Sequence, residues 1–324
     1  MPDAPKKTPA SSIRKAGLSS VVIPFYNEEN LIQKMLPVFQ ESCKKLGVDR
    51  FEIIAVDDGS RDGTINSLHE QAKNIPQLKI ISFNRNFGKE AAIHAGLEHC
   101  TGDIAFVMDS DGQHPVSLMP EMLDLWEKGA DVVAACKADR GNESFLSRSF
   151  ANGFYAIFKF LTKIEVKNMS DYVLLDRAVV DQYTALNERR RFFRGMIAWM
   201  GFKTSKVYFD IPPRVQGSSS WSRFKLFRFA LNAISGFTST PLHLISLLAF
   251  LYAIGAVIIG SLTLFQKLTG TGVTGFTTVN ILVLTTGALI MFGLGQIGIY
   301  LEQIFEELKQ RPSYLINHSK SKLK

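Results

Sequence analysis

At 324 residues and 46% hydrophobic content, the chain is long enough for one large or two smaller domains with ample core. The net charge of +7 points to an anionic partner such as a membrane surface or a phosphorylated ligand. Nucleic acid is set aside, because no zinc-finger spacing, RNA-recognition signature or basic zipper is present, and three isolated cysteines, Cys43, Cys100 and Cys136, argue against a disulfide framework or a metal cluster.

Residues 1–18 carry no apolar run and are expected to form a disordered tail, not a secretory signal. From there to about residue 137, short β-branched runs alternate with helical patterns. "SSVVIPF" (19–25), "FEIIAVDD" (51–58), "LKIISF" (78–83), "DIAFVMD" (103–109) and "DVVAACK" (131–137) have strand length. "EENLIQKMLPVFQESCKKLG" and "KEAAIHAGLEHC" have helical period. Strict alternation implies right-handed crossovers and a mostly parallel α/β sheet, with ligands at the carboxyl ends of its strands. Three polar clusters follow strands there: Tyr26-Asn27-Glu28, Asp57-Asp58-Gly59-Ser60 and Asp109-Ser110-Asp111.

Further along, 145–163 and 221–240 mix aromatic and basic residues at helical spacing, which fits helices lying in a bilayer's headgroup region. Core-packing helices with a solvated basic face would have the same pattern. From Pro241 to Leu301 the only formal charge is Lys267. The uncharged stretches 242–265 and 271–301 both exceed the ~20 residues needed to cross a hydrocarbon core of ~30 Å, so 241–301 reads as two transmembrane helices. Arg223, Lys225 and Arg228 before the spans, and the basic tail 302–324 after them, put both ends on the cytoplasmic side. Small residues within the spans, such as Ala256, Gly260 and Gly287, permit a homo-oligomer.

Two carboxylates flanking one residue, Asp109 and Asp111, can each give an oxygen to a hard cation that bridges to a diphosphate. A lone Asp-x-Asp triplet is common by chance and equally serves as a polar turn. Its position at the end of a parallel strand with acidic neighbours favours the metal.

"VVIPFYNEEN", "AVDDGSRDGT", "NRNFGKEAAIHAGLEHCTGD" and "DSDGQHP", in that order, resemble family 2 glycosyltransferases of the GT-A fold. "RVQGSSSWSRFKLFRFALNAISGFTSTPL" narrows the resemblance to the polyprenyl-phosphate glycosyltransferases, the group of dolichyl-phosphate mannose synthase and bacterial bactoprenol glucosyltransferases. The likeness spans about residues 19 to 301, with 19–220 as the GT-A catalytic domain. It implies a Rossmann-like sheet, Mg2+ or Mn2+ at Asp109 and Asp111, a nucleotide-sugar donor, favouring UDP, and a polyprenyl phosphate acceptor. Glucose and N-acetylglucosamine are the favoured sugars.

Residue by residue, the resemblance assigns nucleotide contacts to Pro24, Tyr26 and Glu28, and base reading to Val56 and Asp58. Gln113 falls beside the sugar or diphosphate, and Asn86 and Gly88 open a helix. Lys137, Arg140, Arg194, Arg214 and Ser219 are implied phosphate-binding positions. Ser220 stands where the family usually has lysine, so one phosphate contact is either missing or supplied elsewhere, by Arg223 or Lys225. Asp171 matches the acidic position that serves as base in related inverting enzymes; a helix cap or a structural ion pair would use the same residue. Two alternatives share these motifs: a membrane-anchored transferase with another acceptor, and an inactive sugar-nucleotide-binding protein.

Overall fold

The computed structural model describes residues 14–46, 48, 50–138, 153, 156–166, 169–189, 191–210, 237–238, 240–270 and 275–323. The chain divides into two units, Met1–Ser220 together with Pro312–Lys324, and Trp221–Arg311.

In the first unit, strand β1 (Leu18–Phe25) is buried at every residue except the first, as expected of a central strand covered on both faces. Helix α1 (Glu29–Lys45) turns Leu31, Ile32, Leu36, Phe39 and Cys43 inward, an apolar stripe at helical spacing. Strand β2 (Arg50–Asp57), α2 (Thr64–Asn74), β3 (Leu78–Ser82), α3 (Lys89–His99) and β4 (Ile104–Val107) continue the alternation. A short 3-10 turn leads into α4 (Met119–Glu127) and β5 (Val132–Lys137). Strand β6 (Met169–Asp176), α5 (Arg177–Ala185), α6 (Phe193–Trp199) and β7 (Thr204–Phe209) complete the sheet among the described residues.

The sheet order is β3-β2-β1-β4-β6-β5-β7. Every pairing is parallel except the two made by β6. This is the mostly parallel sheet that the alternation implied, with β6 and β7 as strands that it did not reveal. Because β1 connects forward to β2 on one side and pairs with β4 on the other, the order reverses between β1 and β4, and such a switch point opens a crevice at the strand ends. Pro24 fits that opening. Phe25 O accepts from Asp58 N on the β2 side, so Pro24 faces the β4 side, where the ladder ends at Val22 and Val107. A residue without an N–H therefore loses no ladder hydrogen bond there.

The segment after Arg311 folds onto edge strand β3. Ile80 and Lys322 exchange backbone hydrogen bonds of 2.7 Å, and Asn317 N donates to Ser82 O at 2.7 Å. Tyr314 stacks on Phe83 with ring centroids 4.9 Å apart and donates its hydroxyl hydrogen to Glu98. The expected basic tail thus ends as a strap that pairs the open side of an edge strand.

The second unit contains α7 (Thr240–Leu268) and α8 (Phe276–Leu308). Tyr252 donates to Leu282 O at 3.1 Å, and Tyr300 to Thr238 O at 2.9 Å. Early α7 therefore meets late α8, which makes the pair an antiparallel hairpin. Ile245–Gln266 and Ile281–Leu308 have mean hydropathies of 2.3 and 1.8, with their apolar side chains outward. Length and composition suit a bilayer crossing.

Candidate active site

The carboxyl edge of the sheet is assembled by loops that hold one another. After β1, Asn27 adopts a left-handed φ of 53°. Its backbone N–H donates to Ser60 Oγ, and its side-chain oxygen accepts from Arg61 N, both at 2.9 Å. Glu28 N donates to Thr64 Oγ1 at 2.8 Å. The first two polar clusters are thus fastened together. Gly59, at φ 65°, lies so close to Arg85 that an added Cβ would meet its carbonyl carbon at 2.3 Å, so only glycine fits that approach.

Asp57 and Asp58 both organise this edge. Asp57 accepts from Ser60 N at 3.0 Å and from Ser82 Oγ at 2.9 Å, and so closes the turn after β2. Asp58 accepts from Asn86 Nδ2 at 2.9 Å, Phe87 N at 2.7 Å and Gly88 N at 2.9 Å. It anchors the turn that starts α3, with Gly88 at φ 99°. Burial nevertheless raises its carboxyl to about 6. Val56 is fully buried in β2, and an added Cβ on Gly96 of α3 would lie 3.3 Å from its Cγ2. Tyr26 stands exposed at the rim.

The centre of the crevice is acidic. The antiparallel β4–β6 ladder ends with Val107 opposite Val173; Asp109 follows β4, Asp171 lies near the start of β6, and both carboxylates reach Lys89. Asp171 thus belongs to a strand, and the structure assigns the helix cap to Asp176, which accepts from Ala178 N at 2.9 Å. Lys89, the first residue of α3, places its Nζ 2.5 Å from Asp109 Oδ1 and 2.5 Å from Asp171 Oδ2. Arg194 Nε lies 3.0 Å from Asp171 Oδ1, and its Nη1 donates to Met169 O at 2.9 Å. Burial opposes the charge on Asp171, but Lys89 and Arg194 outweigh it and hold the carboxyl well below the usual carboxylate range. Behind Lys89, burial and the charge of Asp171 raise Glu90 to about 7 although it accepts from Phe193 N.

The Asp-x-Asp turn is built by its neighbours. Asp109 N donates to His114 Nδ1 at 3.0 Å, so that ring carries its proton on Nε2, and Asp111 Oδ1 accepts from Gln113 N at 3.0 Å. Gly112 takes a φ of 75° between them. Burial, with the charges of Asp111 and Asp109 added, raises Glu28 to about 7 against a hydrogen bond from Ser110. Glu28 Oε2 is buried with no hydrogen-bond partner among the described residues. Among those residues no three His, Cys, Asp or Glu side chains gather closely enough to hold a metal unaided. Two carboxylates and an orphaned buried oxygen are nevertheless the hard donor set that Mg2+ or Mn2+ uses when phosphates complete its shell. Asp109 and Asp111 would hold such an ion, with Glu28 beside them.

Lys137 ends β5 at this same edge. Arg140, Arg214 and Ser219, with Ser220, Arg223 and Lys225, lie outside the described residues. Lys89 had no role in the sequence reading although its motif was noted. The signal was present: a lysine at the first position of a helix opposes the macrodipole, so it needs an acidic partner nearby.

A family model for glycosyl transferase family 2 matches residues 20–197, which runs from within β1 to within α6 and includes every carboxylate of the crevice described above. The chain belongs to glycosyltransferase family 2. An uncharacterized glycosyltransferase of Synechocystis sp. is 35% identical to this transferase over 300 residues, covering 92% of this chain and 94% of its own. The bactoprenol glucosyl transferase of Shigella phage SfV is 34% identical over 309 residues, covering 94% and 99%. Among solved structures, a mannosyltransferase from Pyrobaculum calidifontis, in complex with GDP-Man and Mn2+, aligns over 90% of both chains at 18% identity with a TM-score of 0.41.

Proposed function

We propose that this transferase moves a hexose from a nucleotide sugar to polyprenyl (undecaprenyl) phosphate at the cytoplasmic face of the plasma membrane. UDP is the favoured nucleotide, and glucose or N-acetylglucosamine the favoured sugar. One observation carries the reading: the same chain joins an acidic, cation-bridged crevice at a sheet switch point to a hairpin of two long, outwardly apolar helices. Relatives named bactoprenol glucosyl transferases support the lipid acceptor.

In this reading Asp109 and Asp111 hold Mg2+ or Mn2+, which when bound neutralises the donor diphosphate. Pro24, Tyr26, Glu28, Val56 and Asp58 frame the nucleotide, and Asp58 acts through the Asn86–Gly88 turn it fixes. Gln113, Lys137, Arg140, Arg194, Arg214 and Ser219 stabilise phosphate charge on the leaving group and the acceptor, the expected dominant contribution. The acceptor phosphate attacks the anomeric carbon opposite the leaving nucleoside diphosphate, so configuration inverts. A phosphate is already ionised near neutral pH, and both oxygens of Asp171 are engaged by cations. Asp171 therefore orients Lys89 and Arg194 instead of taking a proton.

The test is the purified full-length protein with undecaprenyl phosphate, Mg2+ and a panel of UDP- and GDP-sugars, the lipid product identified by mass spectrometry and its anomeric configuration by NMR. A β-linked lipid phosphosugar from one donor is expected. An α-linked product overturns the mechanism, and turnover only with water-soluble acceptors overturns the acceptor.

A further inference from the structure

Two carboxylates held within reach of one side chain repel each other unless a cation lies between them. Asp109 and Asp171 are such a pair, both largely shielded, with side-chain exposures of 27% and 14%. The cation between them is Lys89, held 2.5 Å from each. Its placement is constructed: Asp58 fixes the turn of residues 86–88, and Gly88 at φ 99° aims the first residue of α3 into the crevice. A lysine there works against the helix dipole, so the two carboxylates are what keep it in place. Asp171 also has a second cation in Arg194, 3.0 Å away, whereas the ammonium sits on Asp109 at one of the oxygens that a divalent ion would take.

We propose that Lys89 is an exchangeable internal counter-ion of the donor site. In the empty site its ammonium occupies the space between Asp109 and Asp171. A divalent cation arriving at the Asp-x-Asp pair displaces it from Asp109, and the displaced ammonium, still tethered to α3, turns to the oxygens of the incoming nucleoside diphosphate. Metal alone must then compete with a fixed positive charge, while metal and diphosphate together do not. The two ligands therefore bind with positive coupling, each raising the affinity of the other by the same factor. The inference rests on the metal reading given above.

The experiment is Mn2+ titration of the full-length, detergent-solubilised protein with and without UDP, reading free Mn2+ by electron paramagnetic resonance. In the wild type, Mn2+ binds weakly alone and more tightly with UDP. Lys89→Met is expected to bind Mn2+ alone about tenfold tighter or more, since a unit charge within a few ångströms has been removed, and UDP then adds less. Lys89→Arg, which keeps the charge, behaves as wild type. Mn2+ affinity in Lys89→Met equal to or below wild type overturns the proposal while leaving the metal reading intact. Asp109→Asn separates the two: if it binds Mn2+ as the wild type does, the metal reading fails and this inference with it. The thermal midpoint of Lys89→Met is expected to fall without metal and to recover with Mn2+. A Lys89→Met protein that stays unfolded in Mn2+ also counts against the proposal, because an exchangeable cation must be replaceable.

Discussion

Single residues in this catalytic unit are defined by the charges around them. Asp171 takes Lys89 on one oxygen and Arg194 on the other, so Asp171→Asn should loosen both cations at once. Turnover is expected to fall roughly a hundredfold or more, in the range for losing a preorganised charge contact, and Asp171→Glu should recover part of it. An ordinary base would show a pH–rate limb that vanishes in Asp171→Asn; a positioning carboxylate leaves the shape of the profile unchanged. His94, on α3 between Tyr183 and Tyr314, offers a separate test. Burial first, then Arg191, lowers it from 6.5 to about 4. Between those values the unfolded chain binds a proton that the folded one refuses, so stability falls as pH drops from 6.5 toward 4. At pH 5 the loss is about 2 kcal/mol. Urea unfolding followed through the fluorescence of buried Trp126 should show the wild type losing that much more than His94→Gln between pH 7.5 and pH 5; equal losses would remove His94 as the cause.

Elements were legible where one period dominated. The runs of β1 to β5 are β-branched and nearly continuous because both sheet faces are covered, and α1 and α4 repeat their buried residues every three to four positions. β6 escaped because it enters the sheet antiparallel, out of the βα rhythm, and carries polar Ser170 and Asp171 directly after its first residue, Met169. The same inversion brings Asp171 to the carboxyl edge, which no local pattern encodes. Asp109 and Asp111 could be nominated from spacing and resemblance, while Lys89 needed the third dimension. The strap 312–323 was invisible for another reason: it pairs through isolated bridges, Ile80 with Lys322 and Phe83 with Ile316, with no periodicity of its own. Its contribution can still be measured. Tyr314→Ala removes the stack on Phe83 and the hydrogen bond to Glu98, which should lower stability by about 1–2 kcal/mol. Removing 312–324 should do more and expose the β3 edge to self-association, seen as a lower thermal midpoint and larger species in size-exclusion chromatography. A truncated protein as stable and monodisperse as the full chain would show the strap to be dispensable.

For the whole molecule, the decisive fact is connectivity. The chain leaves the catalytic unit before Trp221, runs through the α7–α8 hairpin, and rejoins the same unit at Pro312. An antiparallel hairpin whose two ends belong to one folded unit must enter and leave a bilayer on the same side, and the proposed function places that side in the cytoplasm. The three native cysteines are buried, so an introduced thiol would be the one labelled by a membrane-impermeant maleimide. Thr269→Cys, in the turn after α7, should react in intact cells or right-side-out vesicles. Ser319→Cys, exposed on the strap, should react only in inside-out vesicles. Labelling of both from one side would mean that the hairpin does not span, and the polyprenyl acceptor would lose its physical basis. A hairpin that lies on the bilayer leaves the crevice no fixed depth. Under the proposed function, a hairpin that spans would keep the catalytic unit at the membrane surface, where a lipid phosphate and a soluble sugar nucleotide would meet at the carboxylates bridged by Lys89.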